Sequence, residues 1–270
     1  MRVLAAAALI SAIVLTGCGN NSNNNATAAG LSGNWQMTLQ SSSSSSETQS
    51  GFLLQSGSAL TGALLFSGQT ISGQITCAGV GTIQGQTNGA SISITQTAPG
   101  LTINLTGTST ASTSSAGSSM SGSYSILSAG CGQTEIGTWT ATQVSALKGN
   151  FQATFTPDSG STFHFAGTIT QGLNTGGSAA TISGTMSSSD SPCFTSASIA
   201  GLVTGTSATL NLLTSDGQEL GKYSGTMTID ASSLSGPFKF SNASDPSVLG
   251  ACQNLGGNAT VAVQASSGTS

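Results

Sequence analysis

The chain repeats itself, and this internal duplication constrains its fold more than any other feature. Residues 31–39 (LSGNWQMTL) match residues 147–155 (LKGNFQATF) at an offset of 116 residues. Matches further along keep this offset or lengthen it to 121 near the end of the repeat, as expected when loops differ in length. Self-similarity at a fixed offset indicates duplicated structural units. We therefore predict two homologous domains, at 31–144 and 147–264, with too short a connection for free movement between them.

Within each repeat, apolar and polar residues alternate. Trp35, Met37 and Leu39 have polar neighbours on both sides, and residues 101–105 (LTINL) follow the same pattern. A period of two indicates strands with one buried side and one side facing solvent. Asn88-Gly89 and similar breaks suit tight hairpins, because glycine tolerates positive φ. In the first repeat we place about eight strands, at 34–40, 50–56, 60–66, 70–76, 80–87, 91–97, 101–108 and, less cleanly divided, near 120–126 and 135–143.

Successive hairpins of this number close most simply into a barrel. We therefore predict an all-β protein with two tandem antiparallel meander domains, each a small up-and-down barrel, since closure removes exposed strand edges. Two β-sandwiches are the alternative architecture. The serine run 41–46 and the segment 106–119 are predicted to be flexible loops.

Two short motifs resemble those of known barrels. Gly33-Asn-Trp35 opens the first repeat, and Gly137-Thr-Trp139 stands near its end. Both resemble the Gly-x-Trp strand ends of lipocalin-like and avidin-like barrels, and the resemblance implies a closed barrel. The second repeat departs from this pattern, with Phe151 and Ala259 at the two tryptophan positions.

The composition excludes several classes of function. Charged residues make up 4% of the chain, against about 25% in an average globular domain. The chain has 4 Lys and Arg residues in all, too few for a basic patch, so nucleic-acid binding is not expected. The scarcity of Lys, Glu and Arg argues against an α-helical protein. Low charge with a mean hydropathy of +0.16 argues against charge-driven disorder.

Residues 1–17 have the layout of an export signal. Met1-Arg2 forms a short positive region, and the apolar run Val3–Leu15 is too short for an ordinary transmembrane helix. The following Leu15-Thr-Gly-Cys18 resembles a bacterial lipobox. That resemblance implies diacylglyceryl transfer to the Cys18 thiol and cleavage before this residue. A plain secretory signal followed by a chance cysteine is the alternative.

The segment after the lipobox is expected to link the lipid to the folded body. Residues 18–30 (CGNNSNNNATAAG) are small and polar, which is typical of a flexible tether. By the sorting rule for such lipoproteins, Gly19 implies the outer membrane. Residues 265–270 are expected to form a tail. We therefore predict an exported, lipid-anchored protein of the cell envelope, whose N-terminal acyl chains bind the membrane.

Four cysteines remain after Cys18, two in each repeat at matching positions. Four thiols allow three pairings, and the duplication favours Cys77–Cys131 and Cys193–Cys252. An exported chain enters a compartment where disulfides persist. Metal binding is the weaker alternative, because the sequence has no CxxC motif and its acidic residues are scattered.

The sequence predicts no catalytic residue, no metal site and no cofactor. His164 is the one histidine, and on a strand it would face away from Phe163 and Phe165, towards solvent. We find no Gly-x-Ser-x-Gly elbow for a nucleophilic serine. A hydrolase would have to use His164 or a carboxylate without an identified partner, so this class is the least favoured.

The leading hypothesis is a non-catalytic surface module of the envelope, either binding or structural. Its uncharged Ser, Thr, Asn and Gln faces would contact an envelope protein or a glycan. The alternative is a carrier of a small apolar ligand inside a β-barrel. The large side chains that would line that cavity, or else form the core, are Trp35, Trp139, Phe151, Phe155, Phe163 and Phe165.

Overall fold

The computed structural model describes residues 30–43, 46–66, 70–71, 74–75, 78–111, 117–128, 134–174, 176–241 and 250–264. These residues form two closed, eight-stranded antiparallel barrels in tandem, so the predicted fold class is confirmed and the sandwich alternative is not. No helix in these ranges is long and apolar enough to cross a membrane. The predicted signal peptide, Cys18, the tether, the tail and the Cys77–Cys131 pair lie outside the described residues.

The described residues of the first repeat form ten strands. They are β1 (Gly33–Ser41), β2 (Ser46–Ser56), β3 (Ala59–Phe66), β4 (Thr70–Ile71), β5 (Gln74–Ile75), β6 (Gly79–Asn88), β7 (Ser91–Ala98), β8 (Leu101–Thr110), β9 (Ser119–Ser128) and β10 (Glu135–Val144). All except β4 and β5 form barrel 1, in which neighbouring strands pair in chain order and β10 closes against β1.

Two predictions for this repeat are wrong. The predicted barrel strand at 70–76 is instead a small ribbon outside the barrel, in which Thr70 pairs with Ile75, and the intervening Ser-Gly dipeptide is a turn signal. The loop predicted at 106–119 is too wide, since β8 runs to Thr110 and β9 begins at Ser119. Threonine is β-branched and fits a pleated surface. Of the serine run predicted as a loop, the first and last residues belong to strands.

The second repeat forms barrel 2. Its strands are β11 (Lys148–Pro157), β12 (Phe163–Gln171), β13 (Ala180–Ser187), β14 (Ser196–Thr204), β15 (Ser207–Leu213), β16 (Glu219–Met227), β17 (Ser233–Phe240) and β18 (Gly256–Gln264), and β18 closes against β11. A disulfide joins Cys193, in the loop before β14, to Cys252, in a 3₁₀ turn (Gly250–Cys252) before β18. This is the pairing that the duplication predicts for the second repeat.

Each barrel has a hydrophobic core built mainly from the inward residues of the alternating pattern, and the core of barrel 2 extends to Phe52 and Val144 of barrel 1. Both tryptophans are buried in barrel 1 with their indole nitrogens satisfied. Trp35 Nε1 donates to the Leu31 carbonyl at 2.9 Å, and Trp139 Nε1 donates to the Thr106 carbonyl at 3.1 Å. Because the chain has two tryptophans in total, tryptophan fluorescence reports on barrel 1 alone.

A specific joint connects the barrels. The β14–β15 turn of barrel 2 (residues 204–207) packs against β1 of barrel 1. The Asn34 side chain, 1% exposed, pairs with the Gly205 backbone in both directions: Nδ2 donates to the carbonyl at 2.7 Å, and Oδ1 accepts from the amide at 2.7 Å. Gln36 Oε1 accepts from the Thr206 amide at 3.2 Å. These buried hydrogen bonds fix how the two barrels meet.

Candidate functional site at one end of barrel 1

One end of barrel 1 collects polar side chains that point inwards. At this end, which we call the mouth, β1, β3, β7 and β9 finish and β2, β6, β8 and β10 begin. Ser41 is the last residue of β1, and Glu47 is the second residue of β2. Gln96 is two residues from the end of β7, and Glu135 is the first residue of β10. Strand order alone therefore brings these residues to one end.

The mouth holds all the formal charge of the first repeat. Between residues 31 and 144 the sequence has two ionisable acidic residues, Glu47 and Glu135, and no Lys, Arg, His or Asp. Glu47 is 7% exposed and Glu135 is half-buried. Barrel 1 itself therefore offers no cation to balance these two carboxylates. An uncompensated negative site of this kind favours a cation or strong hydrogen-bond donors.

Glu47 is held in a buried polar contact. Gln49 Nε2 donates to Glu47 Oε1 at 3.3 Å. Burial raises the pKa of Glu47, the negative charge of Glu135 raises it further, and the bond from Gln49 opposes both effects. Gln49 is 1% exposed, and its Oε1 has no hydrogen-bond partner among the described residues. One acceptor in the mouth thus remains free for an outside donor.

Tyr124 and Glu135 form a second polar contact at the mouth. The buried Tyr124 hydroxyl donates a hydrogen bond to Glu135 Oε1. Burial raises the pKa of Tyr124, and the hydrogen bond and charge of Glu135 add to the rise. The phenol therefore stays protonated at neutral pH and keeps one Glu135 oxygen occupied. The second oxygen of this carboxylate can accept from a ligand.

Gln96 is the most unusual member of the set. It is 1% exposed, yet neither Nε2 nor Oε1 has a hydrogen-bond partner among the described residues. Its side chain lies across Gly81: a Cβ at Gly81 would stand 2.6 Å from Gln96 Cγ and 2.7 Å from Nε2. An unsatisfied buried amide destabilises a fold by about 1–3 kcal/mol. Such a group is expected where a ligand completes its hydrogen bonds.

Barrel 2 shows what the same fold contains without these polar groups. By strand register, Phe163 and Phe165 occupy the positions of Glu47 and Gln49. Leu212 occupies the position of Gln96, since each stands opposite the matching isoleucine of the preceding strand. The corresponding end of barrel 2 is filled by phenylalanine rings that pack stacked or edge to face, with centroids as close as 4.8 Å: Phe155, Phe163, Phe165, Phe194, Phe238 and Phe240.

A small apolar cavity lies inside barrel 2. It is lined by residues including Phe151, Ile169 and Tyr223 and measures about 20 Å³. A volume of this size holds about one water molecule. The buried Tyr223 hydroxyl also has no partner among the described residues. This cavity is too small for the small apolar ligand of the carrier hypothesis.

The structure brings the predicted cavity-lining residues into two cores rather than one site. Trp35 and Trp139 belong to the core of barrel 1, and the four phenylalanines belong to that of barrel 2. Each of the six side chains is at most 4% exposed. They are Trp35, Trp139, Phe151, Phe155, Phe163 and Phe165.

His164 faces solvent, as the strand pattern predicts. Its side chain is 61% exposed, and Nδ1 lies 2.8 Å from Asp190 Oδ2. The hydrogen bonds from His164 lower the pKa of Asp190 to about 2, and a bond from Ser188 contributes. The imidazole and this carboxylate lie together on the exposed outer face of barrel 2. Sequence reasoning missed Asp190 as the partner.

Sequence motifs do not identify the polar residues of the mouth either. Glu135 is an isolated acid in the sequence, and no motif contains Glu47, Gln49 or Gln96. Two signals identify them: the first repeat has acidic residues at only two positions, and the offset of 116 places Glu47 against Phe163. A polar residue matched to a phenylalanine in a duplicated core is a departure from the pattern that burial requires.

Comparisons with known proteins place no function on the chain. No protein-family model matches it, and no curated protein matches it. Among solved structures it is similar to the crystal structure of kievitone hydratase from Nectria haematococca, with 10% sequence identity over 89% of this chain and 92% of that chain, and a TM-score of 0.26. At this TM-score the likeness carries no inference about activity. Within the described residues, no group of three or more His, Cys, Asp or Glu could hold a metal ion.

Proposed function

We propose that the chain is a non-catalytic binding module of the cell envelope and that its binding site is the mouth of barrel 1. The ligand would be a small molecule with an amine and hydroxyl groups. The amine would balance Glu47 and Glu135. The hydroxyls would donate to Gln49 Oε1 and exchange hydrogen bonds with the Gln96 amide.

One observation carries this proposal. Two barrels of common origin differ at one end, where barrel 2 has a phenylalanine plug and barrel 1 has buried, partly unsatisfied polar groups. The same barrel fold forms with phenylalanine at these positions, as in barrel 2. Polar groups that destabilise a core are retained where function requires them.

Calorimetric titration of the full chain with glucosamine tests the proposal. Glucosamine carries an ammonium and several hydroxyls, and glucose is its matched neutral comparator. We expect saturable binding of glucosamine and weaker binding of glucose. Gln96→Leu copies Leu212 of barrel 2. It should weaken binding at least about tenfold, because the ligand loses its hydrogen bonds to the buried amide.

The control is Gln84→Leu, on the exposed outer face of β6. It makes the same chemical change on the same barrel and should leave the affinity unchanged. Binding that Gln96→Leu does not weaken would contradict the location of the site. Turnover of a bound amine would contradict the non-catalytic assignment.

The envelope location is a second part of the proposal. The lipobox resemblance supports acylation of Cys18, and two or more acyl chains suffice for stable anchoring. The intact mass of protein extracted from its host should match residues 18–270 plus acyl groups, less four protons for two disulfides. Cys18→Ser should lose the acyl mass and leave the membrane fraction. A mass that retains residues 1–17 would contradict the anchor.

A further inference from the structure

The joint between the barrels uses a strand face that the duplication supplies twice. On barrel 1, Asn34 and Gln36 of β1 hold the 204–207 turn. By register, Asn150 and Gln152 of β11 occupy the same positions on barrel 2. Both are exposed, whereas Asn34 is 1% exposed. Barrel 2 thus presents a second copy of these two amide side chains, which no described residue covers. The neighbouring strand differs, because Thr168 and Ala166 stand where barrel 1 has Phe52 and Ser50.

The turn is also supplied twice. Residues 88–91 join β6 to β7 as residues 204–207 join β14 to β15. The central glycines have nearly the same backbone conformation, with φ of +60° at Gly89 and +53° at Gly205. A Cβ at Gly205 would stand 2.2 Å from Gln36 Oε1, while nothing lies within 4 Å of one at Gly89. The 88–91 turn is exposed and unoccupied.

The contact within the chain depends mainly on backbone atoms of the turn. Asn34 binds the amide and carbonyl of Gly205, and Gln36 binds the amide of Thr206. Gly89 and Ala90 offer the same three backbone groups. The contact that their side chains cannot reproduce is the longer bond from the Thr206 hydroxyl to Gln36, at 3.4 Å. The contact between the Ser50 and Thr204 hydroxyls, at 3.5 Å, has no counterpart either, since Ala166 and Asn88 stand at the matching positions. The three hydrogen bonds to the turn backbone are the part of the contact that a second copy can reproduce.

We propose that the chain assembles head to tail, with the Asn150–Gln152 face of one copy binding the 88–91 turn of the next. The occupant of this face is a second copy of the chain. Such a contact is heterologous, so each added copy presents a new free face and turn, and the assembly can continue as a filament. The turn lies at the end of barrel 1 opposite the mouth, so assembly and ligand binding are independent.

Cross-linking of the full chain tests the contact. Gln152→Cys and Ala90→Cys are introduced together, and a short bis-maleimide is added to protein in its host membrane. Denaturing gels should show a ladder of dimers, trimers and longer species. Each single variant should give no ladder, because residue 152 meets residue 90 of another copy and not its own equivalent.

Two matched pairs complete the experiment. Gln36→Cys with Thr206→Cys reproduces the contact within the chain, so it should cross-link without raising the mass. Asn258→Cys with Ala90→Cys places the first thiol on another exposed part of barrel 2 and should give no ladder. Absence of a ladder at 152 and 90, while the 36–206 pair reacts, would overturn the proposal. A ladder of equal strength from either single variant, or from the Asn258 pair, would overturn it as well.

Discussion

Single residues distinguish the two barrels more clearly than any other feature. Gln96 and Leu212 stand at the same register position, each opposite an isoleucine, but one is an unsatisfied amide and the other is apolar. The residue that packs against this position differs too. Gly81 leaves the space in which the Gln96 side chain lies, whereas the matching residue of barrel 2 is Ala197. These differences are visible in the sequence. They can be recognised as a change in the barrel interior only once the structure shows that both positions face inwards.

The pH dependence of stability should reveal Glu47. Because burial raises its pKa above the ordinary 4.5, the folded state holds more protons than the unfolded state between the two values. Its contribution is therefore fully favourable below 4.5 and is lost as pH rises through the folded pKa. In urea denaturation followed by tryptophan fluorescence, Glu47→Gln should reduce this loss between acid and neutral pH. An unchanged pH profile would contradict the burial of a carboxylate at this position.

At the level of elements, alternation in the sequence predicts most strands of barrel 1 to within a few residues. It fails at 70–76, where a short ribbon replaces a barrel strand, and it ends β8 at 108, whereas the strand continues to Thr110. Both errors come from local patterns that do not say with which strand a segment pairs. Pairing is decided by register across the whole barrel.

The disulfide links two elements of barrel 2, the β13–β14 loop and the 3₁₀ turn before β18. Its ends are 59 residues apart, and closing a loop of that length stabilises a fold by up to about 4 kcal/mol. The double variant Cys193→Ser, Cys252→Ser should therefore lower the free energy of unfolding of barrel 2 by a few kcal/mol. Hydrogen exchange should show faster exchange in barrel 2 than in barrel 1, and equal effects in both would argue against independent cores.

At the level of the whole molecule, the duplication predicts two domains but not how they meet. The joint joins the buried Asn34 side chain to a turn that is 171 residues away in sequence, and Phe52 of barrel 1 packs against the core of barrel 2. The matched Asn150 is exposed, so residue type alone does not identify the contact. Only the arrangement of the two barrels decides which asparagine is buried.

Removing this contact should loosen the joint. Asn34→Ala leaves the Gly205 amide and carbonyl without their partners, which destabilises the joint by about 1–3 kcal/mol. Hydrogen exchange at residues 204–207 should become faster while the strands of both barrels keep their protection. Asn258→Ala, an exposed asparagine on β18, is the control and should change nothing at this turn. Unchanged exchange in Asn34→Ala would contradict a fixed joint.

The central claim is that the mouth of barrel 1 carries polar groups for binding and not for folding. The most direct test is the free energy of unfolding of barrel 1 in Gln96→Leu, measured by tryptophan fluorescence in urea, with Gln84→Leu as the control. If Gln96 is unsatisfied in the folded protein, the leucine variant should be more stable by about 1–3 kcal/mol, and the control should be unchanged. A variant that is less stable than the wild type would show that Gln96 supports the fold, and would contradict the claim.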